Sequence, residues 1–141
     1  MIRLNGTKRE FILDEKRNLY VTQGDVRQVQ LAKGAILSGF TALLKKAGIE
    51  MKDLKKVLIA GQFGAHLPAE FLTGVGILPK ELEDRLEYVG NSSKTGAYMT
   101  LMSEMMKREM EKLADTIEYM ELAETEQYER IFTESMIFPG K

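Results

Sequence analysis

Two glycines directly after a short apolar run are the first residues in this sequence whose types and spacing could serve chemistry. Residues 57–60 (VLIA) are followed by residues 61–64 (GQFG). A strand that ends at glycines lets a ligand approach the backbone, and ligands of open α/β sheets lie beyond the carboxyl ends of strands. A phosphate or an adenosine fits such a place. The alternative is a tight turn that needs positive φ, and spacing alone favours that plain turn.

A second glycine-bounded segment follows the next apolar run, where Gly90 precedes residues 91–95 (NSSKT). A phosphate loop of the form G-x-x-x-x-G-K-[ST] requires a glycine at the position of Ser93, so we reject that interpretation. The N–H groups at the start of a helix here could still face an anion. The small residues Gly96 and Ala97 in the first turn are explained equally well by close packing of the helix on a sheet.

A predicted helix over residues 23–46 carries an unusual set of small residues around Lys33. Glycine inside a helix costs roughly 1 kcal/mol relative to alanine, so Gly34 and Gly39 indicate either close packing or a nearby ligand. Lys33 could reach a phosphate or a ribose. For a single lysine on a helix, however, the default expectation is a side chain that faces solvent.

Several kinds of site are excluded by what the sequence lacks. It contains no cysteine, which excludes disulfides, thiolate catalysis and cysteine-ligated zinc or iron–sulfur clusters within this chain. His66 is the only histidine, and no pair of carboxylates stands out for acid–base work or for Mg²⁺. We therefore predict no catalytic residue and no metal ligand, and we expect His66 to pack in a turn.

The charge is balanced overall but divided unevenly along the chain. The formal net charge is -1, which gives no reason to expect nucleic acid or a membrane as a partner. Residues 1–60 carry 12 Lys/Arg against 6 Asp/Glu, whereas residues 61–141 carry 8 against 15. Two solvated faces are the favoured interpretation, and an acidic docking surface near the C-terminus is the alternative. The start of the sequence has no apolar signal segment, and no run approaches the ~20 residues of a membrane span.

The elements that must position these residues alternate between strands and helices, so we predict a single α/β domain over residues 1–141. Its mixed sheet has about five strands flanked by helices. Thr22 with Asp25 predicts a capping box, and Gly48 predicts a helix end. Met99, Met102, Met106 and Met110 form a helical stripe, for which core packing is favoured over an adaptable partner surface. Strands are predicted over 10–13, 19–21, 57–60, 86–89 and 116–122, and helices over 23–46, 69–73, 80–85, 94–114 and from 125.

Three segments in this order resemble a known family. They are "VTQGDVRQVQLAKGAILSGFTALLKKAGI", "KKVLIAGQFGAHLPAEFLTGVGILPKELEDRLEYVGNSSKTGA" and "FTESMIFP". The chain resembles, over about residues 10–139, the C-terminal domain of the ATP-dependent reductive activators of corrinoid proteins. These belong to the superfamily of sugar kinases, actin and heat-shock chaperones. The resemblance implies one half of an actin-like, ribonuclease H-like ATPase fold.

The function implied by this resemblance is the return of corrinoid cobalt(II) to cobalt(I) in methyl-transfer metabolism, with ATP and a ferredoxin-associated low-potential electron. The implied adenosine motif falls on Gly61, Gln62, Phe63 and Gly64, and Gln62 departs from the small residue often found in that slot. Two weaker assignments complete the implied cofactor site: Lys33 and Gly34 on the helix beside the cleft, and Asn91 in the turn after the next strand.

The resemblance also implies that this chain is one piece of a longer protein. The phosphate loop, the Mg²⁺ carboxylates and the iron–sulfur module of the family have no counterpart here. The implied partners are a corrinoid protein and a missing N-terminal half, in the cytoplasm. Whether the chain is an enzyme stays open, and alone it is predicted to be inactive. A non-catalytic module that docks a corrinoid protein or a partner domain is the alternative, and homodimer formation is left open.

Overall fold

Within the residues that the structure describes, five strands form two separate β-sheets. The structure, a computed structural model, describes residues 2–6, 8–61 and 67–140. An antiparallel sheet has the order β1-β2-β3, and a parallel sheet contains β4 and β5. The strands are β1 (Ile2–Asn5), β2 (Lys8–Asp14), β3 (Leu19–Thr22), β4 (Val57–Ala60) and β5 (Leu86–Gly90).

In the same described part of the chain, five α-helices connect and flank these strands. They are α1 (Gln23–Ala47), α2 (Ala69–Val75), α3 (Ser92–Met102), α4 (Glu104–Ala114) and α5 (Tyr128–Ser135). Short 3₁₀ helices cover Met51–Asp53, Lys80–Arg85 and Leu122–Glu124. The predicted helices before residue 90 are thus confirmed within a few residues of their expected ends.

The ends of α1 are set by the residues that the sequence indicated. The Thr22 hydroxyl accepts a hydrogen bond from the Asp25 N–H, and the Asp25 carboxylate accepts one from the Thr22 N–H. This capping box satisfies two N–H groups that a helix start would leave without partners. At the other end Gly48 takes a left-handed conformation, with φ of 65°, which favours glycine.

Two predictions for the second half of the chain are wrong. The long helix expected over 94–114 is interrupted at Ser103, whose extended backbone separates α3 from α4 and whose hydroxyl accepts from the Met106 N–H. Serine favours such a cap over a helix interior because its side chain bonds the backbone locally. The edge strand expected over 116–122 does not form, and Ile117 and Tyr119 are 72% and 82% exposed.

The methionine stripe also differs from its favoured interpretation. Met99, Met102 and Met110 are exposed rather than in a core. The helices α3 and α4 contact chiefly each other, so their outer apolar faces have no cover from the rest of the described chain. Core packing is therefore wrong for these three residues, and the adaptable partner surface stays a prediction.

The buried core is small and lies between α1, α5 and the α2 region. The buried hydrophobic side chains in the described residues are Ala42, Leu72, Leu78 and Leu82. The main interhelical contact joins α1 to α5. None of the helices in the described residues combines the length and the apolar character that crossing a bilayer requires.

Candidate functional site

The carboxyl ends of β4 and β5 meet at one edge of the parallel sheet. The N–H of Gly61 donates to the carbonyl oxygen of Gly90 at 2.7 Å, so the two strands end side by side. Both glycines have positive φ, 95° for Gly61 and 65° for Gly90. A side chain would strain either position, and both leave the backbone accessible at the edge where ligands of parallel sheets bind.

Asn91 directly follows Gly90 and is the N-cap residue of α3. Its side-chain oxygen accepts from the Lys94 N–H at 3.0 Å, and its carbonyl oxygen accepts from the Thr95 N–H at 3.2 Å. The Asn91 side chain is therefore a helix cap. The first N–H groups of α3 have no acceptor within the helix and carry the positive end of its dipole. The edge thus offers two bare glycines beside a helix start, which suits a neutral or anionic ligand.

A cavity of about 870 Å³ extends from this helix start between α3 and α4. Its wall includes Ser92 and Ser93 in the first turn of α3, and Gly96, Ala97 and Thr100 further along that helix. Glu104 and Lys107 of α4 close the other side. The volume falls within the range of about 300–1,000 Å³ that is usual for small-molecule pockets. The space beside the first turn of α3 is therefore large enough for a ligand.

Lys33 does not face solvent, and the default expectation for it is wrong. Its side chain is only 2% exposed, and its Nζ donates to the carbonyl oxygen of Ser135 at 2.5 Å. Ser135 is the last residue of α5, so Lys33 supplies a partner to one of the carbonyls that the helix end leaves free. Burial lowers the pKa of Lys33 because the charged ammonium loses water.

Gly34 packs against the C-terminal segment, residues 132–139, which also contains Ser135. A Cβ atom at Gly34 would come within 2.7 Å of the Met136 Cγ and 3.5 Å of a Phe132 ring carbon. The glycine therefore permits α1 and the end of α5 to pack closely. Gln30 adds a hydrogen bond from its Nε2 to the Met136 carbonyl oxygen at 3.4 Å.

A polar cluster that sequence reasoning missed lies near Lys33. The Thr73 hydroxyl and the Lys80 ammonium both donate to the Glu83 carboxylate. The hydrogen bond from Lys80, followed by that from Thr73, lowers the pKa of Glu83. Lys80 and Thr73 also line a cavity of about 230 Å³ next to Lys33. Only the spacing of Lys80 and Glu83 at i and i+3 could have indicated this cluster.

The predicted site residues thus form two groups. Gly61 lies beside Gly90 and Asn91 at the end of the parallel sheet, whereas Lys33 and Gly34 lie beneath the C-terminal segment. Gln62, Phe63, Gly64 and His66 lie outside the described residues. Within the described part of the chain, no three carboxylate or histidine side chains are grouped as a metal ion would require.

Comparisons with known proteins bear on this geometry. A family model described as the C-terminal domain of RACo, the ASKHA domain, matches residues 1–141. The corrinoid activation enzyme RamQ of Eubacterium limosum is 39% identical over 89 residues, which cover 63% of this chain and 15% of that protein. A solved structure of a reductive activator for corrinoid, iron–sulfur protein superposes with a TM-score of 0.82 at 28% identity.

The solved structure matches 98% of this chain, which in turn spans 23% of that protein. The chain therefore spans less than a quarter of the length of these two relatives. The α/β class and the likeness to half of an actin-like ATPase are confirmed, although the five strands are divided between two sheets. The resemblance to the C-terminal domain of corrinoid reductive activators is confirmed as well. The chain belongs to the family described as the C-terminal domain of RACo, the ASKHA domain.

Proposed function

We propose that this chain is the nucleotide-binding half-domain of an ATP-dependent reductive activator of a corrinoid protein. In the complete protein, ATP binding and hydrolysis would accompany transfer of one electron to cobalt(II), which gives cobalt(I) ready to accept a methyl group. The electron would come from a ferredoxin-type iron–sulfur module elsewhere in that protein, and the setting would be the cytoplasm. The match of the family model to residues 1–141 carries this proposal.

The edge of the parallel sheet is the proposed adenosine side of the cleft. Gly61 and Gly90 have no side chains and leave the backbone accessible there, and Asn91 caps the start of α3 next to them. We assign Gln62, Phe63 and Gly64 to the same turn on the strength of the resemblance. Lys33 and Gly34 have a different proposed role, because Lys33 is bound to Ser135: they hold α1 in place beside the cleft.

The phosphate and Mg²⁺ side of the cleft is proposed to come from the rest of a longer protein. Alone, the chain should bind ATP weakly and should not hydrolyse it. Calorimetry with ATP and ADP, with and without Mg²⁺, tests this expectation. Micromolar affinity together with metal-dependent release of phosphate by this chain would contradict the proposal that it holds only the adenosine side of the cleft.

A chimera tests the role in the complete protein. Residues 1–141 replace the matched segment of the solved reductive activator, and ATP-dependent formation of cobalt(I) is followed by the corrinoid spectrum. We expect Gly61→Ala to reduce this activity, because alanine is strained at a φ of 95° and narrows the cleft. Gly74→Ala is the control, since a Cβ there meets nothing within 4 Å. Equal activity of the two variants would argue against Gly61 as a nucleotide contact.

A protein-docking module is the second candidate, and the outward apolar face of α3 and α4 favours it. Leu101, Met102 and Met105 are 84%, 67% and 68% exposed. The acidic segment after α4 lies next to this face in sequence, so the corrinoid protein would meet both apolar and acidic groups. A pull-down of the corrinoid protein that charge reversal at Glu118, Glu121 and Glu124 leaves unchanged would count against this candidate.

A further inference from the structure

The small cavity next to Lys33 is lined by two lysines that share one carboxylate. Its volume is about 230 Å³, and its walls are formed by Lys33, Lys80 and Thr73 together with apolar side chains. Among the described residues, the carboxylate that pairs with either lysine is that of Glu83, which binds Lys80. We propose that this cavity binds a small monocarboxylate, an anion with a short apolar tail. The proposal is separate from the nucleotide cleft and does not depend on it.

Lys33 is the group that would hold the carboxylate of this ligand. Its side chain is almost completely buried, and its Nζ donates to the carbonyl oxygen of Ser135. An ammonium group carries three N–H donors, and the described residues supply an acceptor for one of them. A buried charge without an opposite charge beside it is costly, and a bound anion would remove much of that cost.

The end of the Lys33 side chain reaches the wall of the cavity at Gly76. This glycine ends α2 with a φ of 78°, and a Cβ atom there would lie 3.1 Å from the Lys33 Cε. The same Cβ atom would lie 2.7 Å from the Pro139 ring, which also lines the cavity. The absence of a side chain at Gly76 therefore leaves room for Lys33 and the C-terminal segment along one wall.

The remaining walls of the cavity determine the rest of the ligand. Leu37, Leu78, Pro79 and Ile137 are apolar and line the space next to the lysines. They favour a ligand that has a hydrocarbon part as well as a charge. The volume lies below the range of about 300–1,000 Å³ that is usual for drug-sized ligands. The cavity therefore suits a molecule of a few non-hydrogen atoms and not a nucleotide.

The charges around the cavity favour a ligand with a single negative charge. Glu83 accepts hydrogen bonds from Lys80 and from the Thr73 hydroxyl, and these lower the pKa of its carboxyl group. The carboxylate is therefore ionised at neutral pH. Two ammonium groups and one carboxylate give this cluster a net charge of +1, which one monovalent anion balances. A ligand with two negative charges would be repelled by Glu83.

Titration of the chain with sodium butyrate, followed by nuclear magnetic resonance at constant ionic strength, tests the proposal. We expect saturable shifts at the amides of Gly76 and Leu78, which line the cavity. Butyramide has the same shape without the charge. It should bind at least about tenfold more weakly, because a hydrogen bond between charged groups is stronger than one to a neutral amide. Equal binding of butyrate and butyramide would overturn the proposal.

Two lysine variants of α1 identify the group that binds the carboxylate. Lys33→Met removes the ammonium from a side chain of similar size, and it should weaken butyrate binding at least about tenfold. Lys45→Met, at an exposed position of the same helix, should leave the binding unchanged. Equal butyrate affinity of Lys33→Met and the unaltered chain would overturn the proposal.

The remaining outcomes are decided on the unaltered chain. If Lys33→Met does not fold, the comparison of butyrate with butyramide still tests the need for a negative charge. Saturable shifts of the same size with sodium chloride alone would overturn the proposal, because they would identify a halide site that ignores the apolar tail. Absence of any saturable shift with butyrate would overturn it as well, since the cavity would then hold only water.

Discussion

The Nζ atom of Lys33 lies 2.5 Å from the carbonyl oxygen of Ser135, and it joins the middle of α1 to the end of α5. No carboxylate of the described residues forms an ion pair with Lys33, and the Ser135 carbonyl oxygen accepts its hydrogen bond. The contact closes the interface between the two helices that pack most extensively. Lys33 therefore stabilises the packing of α1 on α5, whether or not it also contacts a ligand.

Replacement of Lys33 should destabilise the chain. Lys33→Ala removes the donor to Ser135 and leaves space between α1 and α5, so we expect a loss of about 1–3 kcal/mol in the free energy of unfolding. Denaturant unfolding followed by circular dichroism measures this loss. Lys45→Ala, at an exposed position of the same helix, is the control and should change stability much less. Equal effects of the two variants would contradict the role of the buried contact.

The stability of the chain should depend on Lys33 at alkaline pH. Burial lowers the pKa of Lys33 in the folded chain, so the folded state releases this proton at a lower pH than the unfolded state. The unfolded state then binds more protons, and stability rises with pH between the folded pKa and the higher unfolded pKa. We expect the unfolding free energy of the unaltered chain to increase relative to that of Lys33→Met across this range. Parallel pH profiles for the two proteins would contradict this expectation.

Two glycines of α1 should respond in opposite ways to alanine. In Gly34→Ala the new Cβ would lie 2.7 Å from the Met136 Cγ, so overpacking should cost about 1–3 kcal/mol. At Gly39 the nearest side-chain atom is 3.5 Å away, and Gly39→Ala should gain up to about 1 kcal/mol of helix propensity. Thermal unfolding compares the two variants. If Gly34→Ala is as stable as Gly39→Ala, the result would contradict the close packing of α5 against α1 at Gly34.

Gly48 and Gly76 allow backbone strain to be separated from steric contact. Both end a helix with positive φ, 65° and 78°. A Cβ at Gly48 meets nothing within 4 Å, whereas one at Gly76 would lie 2.7 Å from Pro139 and 3.1 Å from Lys33. Gly48→Ala should therefore cost about 1–2 kcal/mol from strain alone.

Gly76→Ala should cost more than Gly48→Ala, because it also displaces the C-terminal segment. Chemical unfolding of both variants gives the difference between the two losses. Gly76→Ala in a chain that also carries Pro139→Ala should recover part of that difference. No recovery would show that Pro139 does not cover Gly76.

The local chemistry of the chain made its first half predictable. Thr22, Asp25 and Gly48 fixed both ends of α1 because capping depends on residues within a few positions of each other. The end of β4 before Gly61 was indicated by the same kind of local signal. The class of fold followed from alternating strands and helices, and the resemblance supplied the superfamily.

The features that sequence reasoning missed depend on distant contacts. Lys33 carries the same local signal as an exposed lysine, and only the C-terminal segment, which packs over it, makes it buried. The alternation of Ile117 and Tyr119 indicates a strand, but a strand also needs a neighbour to bond. The division of the five strands into two sheets likewise depends on pairing between segments far apart in sequence, which no local pattern specifies.

The contact between Lys33 and Ser135 spans 102 residues of sequence, and this separation has a kinetic consequence. Helices form within microseconds, but an interface between segments so far apart must close a long loop before it gains any contact energy. On the ribosome, α1 would emerge complete long before α5 is made. The groove around Lys33 and Gly34 would stay open to water during that interval, and the core would be sealed only after α5 has been synthesised.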